Sequence, residues 1–204
     1  MFDNFIYNFK FLNKTIESTY GKGILGYIRF IHTSFLKINI FYIYTIDVTS
    51  YVNDNNVDDI VYSKDIIVLK DYRKNKKLPK QYYMDVIDGL KNCCLILCEN
   101  DIAHIHWVVE SGDTSRFLKI DKHHVEINHV LTLQKYRNLH IYRKAIVKTL
   151  SNLKNVGVTH AFVVINSNTV ISRHVIESIG WKECRRIRTF GRLNFKYKTD
   201  NILL

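Results

Sequence analysis

Several residue types are scarce in this sequence, and each scarcity excludes a class of protein. One proline and eight glycines in 204 residues exclude a collagen-like or low-complexity chain. No stretch reaches the roughly 18 uncharged apolar residues of a membrane span, because Lys37 and Asn39 interrupt the most apolar early run. The N-terminus lacks a basic leader before an apolar segment, so we expect no signal peptide.

The four cysteines do not have the spacing of a zinc site. Cys93, Cys94 and Cys98 lie within one apolar run and Cys184 stands alone, so no second pair completes a four-ligand pattern. We interpret the three clustered cysteines as small hydrophobic residues of a buried strand. No metal is therefore expected, and a reducing cytoplasm is the expected location.

Charge is distributed unevenly along the chain. Residues 1–132 hold 16 lysines and arginines against 16 acidic residues, whereas residues 133–204 hold 14 against 3. The whole net charge of +11 therefore lies in the C-terminal third. Such asymmetry indicates a polyanionic partner, which could be nucleic acid, acidic lipid or a phosphorylated small molecule.

The first part of the chain predicts a helical segment followed by mixed elements. Residues 1–35 mix aromatic residues with lysine, which predicts one or two short helices. Alternation of apolar residues over 36–48 predicts a strand, and the apolar run 66–69 predicts a second, short strand. An Asn- and Asp-rich loop is expected over 52–59. Pro79 is expected to open a helix that continues to about residue 90.

The rest of the chain has a regular order of elements. Apolar periodicity predicts strands and helices in alternation, followed by a closing hairpin over 181–198. The strands are expected at 93–99, 102–110, 125–133 and 161–165, and the helices at 139–155 and 169–179. Along 125–133, simple alternation places Glu126 on one face and Val125, Ile127, His129, Leu131 and Leu133 on the other. This order predicts an α/β or α+β sheet covered by helices.

The segment from Leu131 to Tyr142 carries the strongest local signal for binding. A strand ends, a short basic loop with Lys135 and Arg137 follows, and a helix begins. The first N–H groups of a helix lack internal partners, and the helix dipole adds partial positive charge there. Two adjacent cations therefore predict an anion site suited to a pyrophosphate, although any strand–helix turn can carry two solvated basic residues.

This segment resembles the acetyl-CoA-binding motif of the GNAT superfamily of N-acetyltransferases. The motif consists of Arg or Gln, two residues, Gly, one residue, then Gly or Ala; Arg137, His140 and Tyr142 occupy its three defined positions. The loss of glycine at position 140 matters, because glycine lets the backbone approach a phosphate closely. A tyrosine after an isoleucine at the last position is similar to a branch of the superfamily associated with bacterial surface-polysaccharide loci.

A second resemblance follows at the matching distance along the chain. Residues 166–181 resemble the next GNAT motif, with Asn168 after a strand and Ser172 on the following helix. Asn168 is offset by one residue from the usual spacing. Ile176 stands where many members have a tyrosine that acts as general acid. The resemblance as a whole spans about residues 93–195.

The resemblance implies a GNAT-like, mostly antiparallel central sheet flanked by helices, in a single domain. Residues 1–35 would be its helical segment, 36–132 its acceptor-side half and 133–204 its cofactor-side half. Acetyl-CoA would be the acyl donor, attacked directly by an amine. The residues expected to hold this cofactor are Leu131, Thr132, Leu133, Lys135, Arg137, Asn138, Leu139, His140, Ile141, Tyr142, Asn168 and Ser172.

Proton transfer has several candidate residues. Glu126 lies on the strand before the loop and helix start of the segment 131–142, a segment here named the cradle. Members of the family often carry the general base on this strand. A solvent-facing structural role is equally compatible with the position of Glu126. His106 lies on the neighbouring strand and is a second candidate base, because imidazole titrates near neutrality; His104 shares its face by alternation. Without a tyrosine at the usual acid position, Tyr142, Ser172 or water would protonate the leaving thiolate.

The sequence gives less information about the acceptor and the partners than about the cofactor. The polysaccharide-associated branch favours a small-molecule amine acceptor, an amino sugar on a nucleotide carrier, with a protein N-terminus or lysine as the alternative. A homodimer is compatible with the sequence. Two other functions stay open: a GNAT-fold binding protein that has lost catalysis, and a basic nucleic-acid-binding module, for which no recognition motif is visible. Coenzyme A is itself a polyanion, so we interpret the basic third as the cofactor side.

Overall fold

The structure is a computed structural model that describes residues 16–17, 20–52, 61–191 and 195–201. Contacts within the chain divide it into two compact units. The smaller comprises residues 1–41 with 186–201, and the larger residues 42–185 with 202–204. The predicted organisation as one domain, divided at residues 35 and 132, stays a prediction.

The described elements alternate between helices and strands. The strands are β1 (Ile38–Asp47), β2 (Val61–Ser63), β3 (Asn92–Cys98), β4 (Asp101–Val109), β5 (His124–Thr132), β6 (His160–Asn166), β7 (Lys182–Phe190) and β8 (Phe195–Asn201). The α-helices are α1 (Gly23–Ile31), α2 (Ile66–Tyr72), α3 (Met84–Ile87), α4 (Ile141–Asn155) and α5 (Val170–Ile179). A π-helical stretch at His32–Leu36 follows α1, and 3₁₀ turns cover Lys80–Tyr83 and Gln134–Tyr136.

The smaller unit contains α1, the π-helical stretch, the first residues of β1, the last residues of β7, and β8. The side chain of Asn39 donates a hydrogen bond to the carbonyl of Gly191 at 2.8 Å, and the N–H of Gly191 donates to the carbonyl of Lys37 at 2.8 Å. Gly191 has a φ of 56°, and a Cβ there would overlap the Ser34 carbonyl. This position therefore requires glycine, and it lies at the turn predicted for the closing hairpin.

The larger unit is built on a seven-stranded sheet in the order β2–β3–β4–β5–β6–β1–β7. The pairs β2–β3, β3–β4 and β4–β5 are antiparallel, whereas β5 and β6 are parallel. Helix α4 makes the crossover that parallel neighbours require. The predicted mixed α/β sheet flanked by helices is confirmed.

Helices cover both faces of this sheet. Helices α4 and α5 pack on one side, named the α4 face, in a core that includes Ile146, Leu150 and Ile176. Helix α2 and the short helices at residues 80–87 pack on the other side, named the Trp107 face, where Leu69 and Trp107 are fully buried. The two layers bury the strands that lead to the predicted cradle.

Strand β5 contains one residue more than its partner strand requires. Ile105 of β4 lies opposite Leu131, but Trp107 lies opposite Asn128, so a step of two residues on β4 matches three on β5. The extra residue forms a β-bulge. His129 lies at the bulge with a φ of 50°, and its N–H donates to the side-chain oxygen of Asn128 at 2.7 Å.

The bulge changes which face the end of β5 presents. Val125 and Ile127 pack on the α4 face, whereas Leu131 and Leu133 pack on the Trp107 face. The simple alternation predicted along 125–133 is therefore wrong. One added residue inverts the direction of every side chain that follows it, because side chains alternate with a period of two.

Residues 66–69 belong to helix α2, so the strand predicted from their apolar run is wrong. Asp65 is the N-cap, and its carboxylate accepts a hydrogen bond from the N–H of Ile67 at 2.7 Å. A cap of this kind satisfies one of the free donors of the first turn and stabilises the helix start. A run of four apolar residues by itself does not distinguish a strand from a helix.

The helix predicted from Pro79 to about residue 90 is shorter and is divided into the 3₁₀ turn at Lys80–Tyr83 and α3. The other elements lie close to their predicted bounds. Gly157 and Gly180 follow α4 and α5 with φ values of 81° and 103°, in the left-handed conformation typical of helix ends. Helix α1 is one of the N-terminal helices expected within 1–35, and most of the loop expected at 52–59 lies outside the described residues. Within the ranges that the structure describes, no helix combines the length and apolarity needed to cross a membrane.

Candidate active site

The predicted cradle forms a continuous path from β5 to α4. Strand β5 ends at Thr132, the 3₁₀ turn at residues 134–136 follows, and α4 begins at Ile141. The loop residues 137–140 between them are exposed. The fold thus brings the predicted cofactor residues from Leu131 to Tyr142 to one edge of the sheet.

Two left-handed residues shape the loop before α4. Asn138 has a φ of 70° and His140 a φ of 54°. His140 occupies the glycine position of the motif that the segment resembles, and its backbone adopts the conformation that glycine adopts without steric cost. A histidine in this conformation carries about 1–2 kcal/mol of strain that glycine would not carry.

The start of α4 offers backbone donors towards this loop. The N–H of Lys144 makes the first helical bond, to the carbonyl of His140 at 3.0 Å, and His140 makes no side-chain cap. The N–H groups of residues 141–143 come before the first helical bond. Together with the helix dipole, they form an end suited to a negatively charged group.

The two predicted cations of the cradle differ in their surroundings. The ammonium of Lys135 forms an ion pair with Asp101 and lies 4.8 Å from the centre of the Tyr136 ring. Hydrogen bonds, first of all from Lys135, hold the pKa of Asp101 at about 2. Arg137 is exposed, and its Nε donates to the carbonyl of Thr132 at 3.4 Å. Arg137 is therefore the cation that the loop presents, whereas the charge of Lys135 is neutralised.

Behind the cradle, two buried histidines join two threonines in a chain of hydrogen bonds, here named the histidine chain. His104 Nδ1 lies 2.8 Å from Thr132 Oγ1, His104 Nε2 lies 2.9 Å from His106 Nδ1, and His106 Nε2 lies 3.0 Å from Thr149 Oγ1. Both imidazoles are fully buried on the α4 face. The predicted residues Thr132 and His106 are thus connected through His104.

Burial determines the protonation of both imidazoles. It lowers the pKa of His106 to about 3, and it lowers the pKa of His104 well below the ordinary value, with a further contribution from His106. Both rings are therefore neutral near pH 7. An imidazole with so low a pKa is a weak base, which counts against His106 as the group that holds the amine proton.

Tyr142 covers the histidine chain from α4. Its ring stacks on His104, with the ring centres 5.8 Å apart and an angle of 25° between the planes. Burial raises the pKa of the Tyr142 phenol. The hydroxyl therefore keeps its proton and is a poor general acid at this depth.

Glu126 is buried on the Trp107 face, with 1% of its surface exposed. The hydroxyl of Ser115 donates to one carboxylate oxygen, and Asn128 Nδ2 donates to the other at 2.9 Å. Burial raises the pKa of Glu126, and the hydrogen bond from Ser115 offsets part of this effect. The solvent-facing alternative is therefore wrong, and a raised pKa suits a general base that works near neutral pH.

The structure does not bring the two candidate bases together. Glu126 pairs with Val109 across β4 and β5 and shares its face, whereas His106 contacts Thr149 on the opposite face. A single amine acceptor can therefore contact Glu126 or His106, but not both. His129 lies elsewhere, with its Nε2 3.5 Å from Asp88 Oδ2 near the end of α3.

The second motif lies at the same edge of the sheet as the cradle. Asn168 is exposed after β6, where its N–H donates to Asn166 Oδ1 at 2.9 Å, and Ser172 is half-buried on α5. Because β5 and β6 are parallel, their carboxyl ends meet at one edge. Ile176 is fully buried in the core under α5, so its position offers no acid.

Sequence reasoning missed the residues that complete these sites. Ser115 holds Glu126, Thr149 ends the histidine chain, and Asp101 neutralises Lys135. No local spacing signals these contacts, because each joins residues from separate elements.

Other features lie away from the cradle. Among the described residues, no group of three or more histidine, cysteine or acidic side chains is arranged to hold a metal ion. A cavity of about 480 Å³, lined in part by Thr45, Asp47, His160 and Lys182, lies at the amino end of β6. The cavity and the cradle therefore lie at opposite ends of the strands.

Comparisons with known proteins find the fold in solved structures. No protein-family model and no curated protein sequence matches the chain. A GCN5-related glucosamine N-acetyltransferase region of a fungal multi-domain GH3 β-N-acetylglucosaminidase is similar, with a TM-score of 0.55 and 12% identity over 74% of this chain and 20% of that one.

Two bacterial structures are similar to the same extent. A GNAT-family acetyltransferase from Colwellia psychrerythraea has a TM-score of 0.52 and 15% identity, over 79% of this chain and 57% of that one. A GCN5-related N-acetyltransferase from Sphaerobacter thermophilus has a TM-score of 0.52 and 9% identity, over 88% and 58%. Such identities show the fold alone, which is that of the GNAT acetyltransferases. The chain spans less than two thirds of the length of each of these structures.

Proposed function

We propose that the protein is an N-acyltransferase that uses acetyl-CoA as acyl donor and an amine as acceptor. The observation that supports this best is the left-handed loop at Asn138 and His140, which leads into the uncapped start of α4 on a GNAT fold. At His140 the backbone has the left-handed conformation that glycine adopts freely, although the glycine of the motif is absent. This shape also counts against a scaffold that has lost cofactor binding.

Different residues of the cradle would contact different parts of the cofactor. Backbone N–H groups from Arg137 to Tyr142 would hold the pyrophosphate, with Arg137 as the adjacent cation. The backbone of Leu131 and Leu133 would align the pantetheine arm, and Asn168 and Ser172 would contact it from the side of β6. Bound acetyl-CoA supplies a thioester carbonyl that an amine can attack.

Glu126 is the proposed general base. An amine acceptor is mostly protonated near neutral pH, so one proton must leave before attack. The raised pKa of the Glu126 carboxyl brings it closer to that pH, and the donors Ser115 and Asn128 hold its orientation. His106, on the opposite face, would not contact the same acceptor.

We propose an amino sugar, free or attached to a nucleotide, as the acceptor, with a role in polysaccharide biosynthesis. The resemblance of Ile141-Tyr142 to the polysaccharide-associated branch supports it. The glucosamine N-acetyltransferase among the similar structures indicates that this fold is compatible with such an acceptor. The cysteines of the chain are free, which is consistent with the reducing cytoplasm where nucleotide sugars are made.

Titration calorimetry with coenzyme A and acetyl-CoA tests the cofactor. We expect micromolar binding that Arg137→Ala weakens about tenfold, since a charge-assisted contact is lost. Lys91→Ala, an exposed lysine before β3, is the matched control and should bind as the wild type. Tight, salt-sensitive binding of an oligonucleotide without coenzyme A binding would instead support the nucleic-acid module. Binding of neither would support the scaffold.

Turnover with glucosamine and nucleotide-linked amino sugars tests the base and the acceptor. We expect Glu126→Gln to bind coenzyme A normally and to lose most of its turnover. Unchanged turnover would remove Glu126 from the role of base. Activity towards peptide amines alone would contradict the amino-sugar proposal but not the acyltransferase.

A further inference from the structure

The histidine chain has no part in the reaction described above, yet it crosses the interior of the larger unit. At one end Thr132 is half-buried at the edge of the cradle. At the other end Thr149 Oγ1 lies 3.4 Å from the hydroxyl of Tyr62, a half-buried residue of the edge strand β2. Between them, His104 and His106 are both fully buried. The chain thus links the cradle to β2, the outermost strand on one side of the sheet.

Only two proton arrangements satisfy the chain when both rings are neutral. A neutral imidazole has one N–H donor and one acceptor nitrogen. If both protons are on Nε2, Thr132 donates to His104, His104 to His106, and His106 to Thr149. If both protons are on Nδ1, every one of these bonds points the other way. A mixed arrangement would place two N–H groups or two lone pairs against each other between His104 and His106 at 2.9 Å.

We propose that the histidine chain is a proton path that supplies the cradle through the hydroxyl of Thr132. The proposal rests on the proposed function, in which the leaving sulfur of coenzyme A must gain a proton. The usual acid position is occupied by the buried Ile176, and the buried phenol of Tyr142 keeps its proton. The chain therefore provides a proton donor at the cradle besides the other candidates, Ser172 and water.

The transfer balances without a charge inside the protein. In the Nδ1–H arrangement, the hydroxyl of Thr132 gives its proton to the sulfur and receives the Nδ1 proton of His104. His104 Nε2 then receives the Nδ1 proton of His106, whose Nε2 receives the hydroxyl proton of Thr149. Water replaces that last proton, either directly or through the hydroxyl of Tyr62, which takes up a proton from water as it gives its own to Thr149. One S–H bond has formed, one proton has entered, and both rings are Nε2–H.

The surroundings of the chain suit such a transfer. A concerted shift leaves neither ring as an imidazolium, which the dry interior strongly disfavours. Tyr142 stacks on His104, and Cys94 lies opposite His106 on β3. These side chains pack against the rings, and the hydrogen bonds of the two rings lead to Thr132 at one end and to Thr149 at the other.

The tautomers of the two rings test this proposal directly. Protein labelled with ¹⁵N-histidine is examined by long-range ¹H–¹⁵N correlation, and His104→Gln and His106→Gln assign the two signals. We expect both histidines to show the same tautomer in the free wild-type protein. Different tautomers in the two rings would overturn the proposal.

Substitutions at the two ends sharpen the test. Thr149→Val leaves His106 Nε2 facing a methyl group, and because an unpaired buried N–H is less tolerated than an unpaired acceptor, both rings should become Nδ1–H. Thr132→Val should turn both to Nε2–H. Ser151→Ala removes another hydroxyl from α4, one bonded to the carbonyl of Val147, and should change neither ring. A response of the adjacent ring alone would show a static contact and overturn the path.

Coenzyme A calorimetry on the same samples separates this proposal from the proposed function. We expect Thr149→Val to bind coenzyme A as the wild type does and to lose turnover, whereas Ser151→Ala keeps both. Coupled tautomers without coenzyme A binding would contradict the acyltransferase and would also overturn the use of the path to protonate coenzyme A. Normal turnover in Thr149→Val together with coupled tautomers would overturn the catalytic use of the path.

Discussion

The ammonium of Lys135 is paired with the carboxylate of Asp101 and does not face the cradle as an unpaired cation. Asp101 opens β4 and also accepts hydrogen bonds from Tyr72 at 2.9 Å and Tyr136 at 3.1 Å. In the proposed cofactor site, the attraction for an anion therefore rests on Arg137 and on backbone donors.

Replacing Asp101 with asparagine should strengthen coenzyme A binding. The substitution leaves Lys135 with its positive charge but without its acidic partner, next to the loop that would hold the pyrophosphate. We expect a several-fold gain in affinity by calorimetry at low salt, which decreases as salt screens the charge. Asp71→Asn breaks an exposed ion pair with Lys74 and is the control. An unchanged affinity in Asp101→Asn would place Lys135 too far from the phosphates to matter.

Replacing His140 with glycine should stabilise the protein. His140 holds a left-handed φ of 54°, and glycine adopts this conformation without the side-chain clash. We expect a gain of about 1 kcal/mol, or a rise in Tm of about 2–4 °C for a chain of this size. Asn138→Gly is the matched control and should gain less, because asparagine tolerates the left-handed region better than other side chains. A lower Tm in His140→Gly would show that the histidine side chain makes a compensating contact.

Glu126 should make the stability of the protein depend on pH. Its pKa is raised in the folded state, so the folded protein holds this proton more tightly than the unfolded chain does. The resulting stabilisation is complete below the ordinary pKa of glutamate and is lost as the pH rises through the raised value. Glu126→Gln does not ionise, so its Tm relative to wild type should increase across this window. Thermal unfolding from pH 4 upwards measures it, with the exposed Glu110→Gln as control; parallel curves would contradict the burial of a titrating carboxyl.

A tyrosine at position 176 should not restore the usual general acid. Ile176 is fully buried in the core beneath α5, and a larger side chain with a hydroxyl would crowd that core. We expect Ile176→Tyr to lose about 1–3 kcal/mol of unfolding free energy. Ile171→Tyr, on the same helix with 81% of its surface exposed, should be close to neutral. Higher turnover in Ile176→Tyr would contradict the supply of the proton by Thr132.

The elements around the cradle could be predicted from the sequence because each carries its own local pattern. Helix α4 has apolar residues at helical spacing and a glycine at its end, and β6 is a short apolar run between polar segments. Residues 66–69 were misassigned since the cap by Asp65, rather than the apolar run, decides their structure. Local pattern thus predicts elements well and short ambiguous runs poorly.

The arrangement of the site was less predictable, because it depends on contacts between distant parts of the chain. The sequence placed Glu126 on the right strand and left open whether it faces solvent. In the structure Glu126 is buried, and Ser115, which lies outside the predicted elements, donates a hydrogen bond to its carboxylate. The alternation of His104 and His106 correctly placed them on one face. Their bond to each other and to Thr149 required the register of β4 and the packing of α4.

The bulge at His129 lets β5 lose one residue without losing its register. If His129 were deleted, two residues of β5 would match two residues of β4 between the pairs Trp107–Asn128 and Ile105–Leu131. Thr132 would therefore stay opposite His104, and Leu131 would stay in the apolar layer with Trp107. A relative of this chain with a one-residue gap at this point of β5 could thus keep both the cradle and the histidine chain.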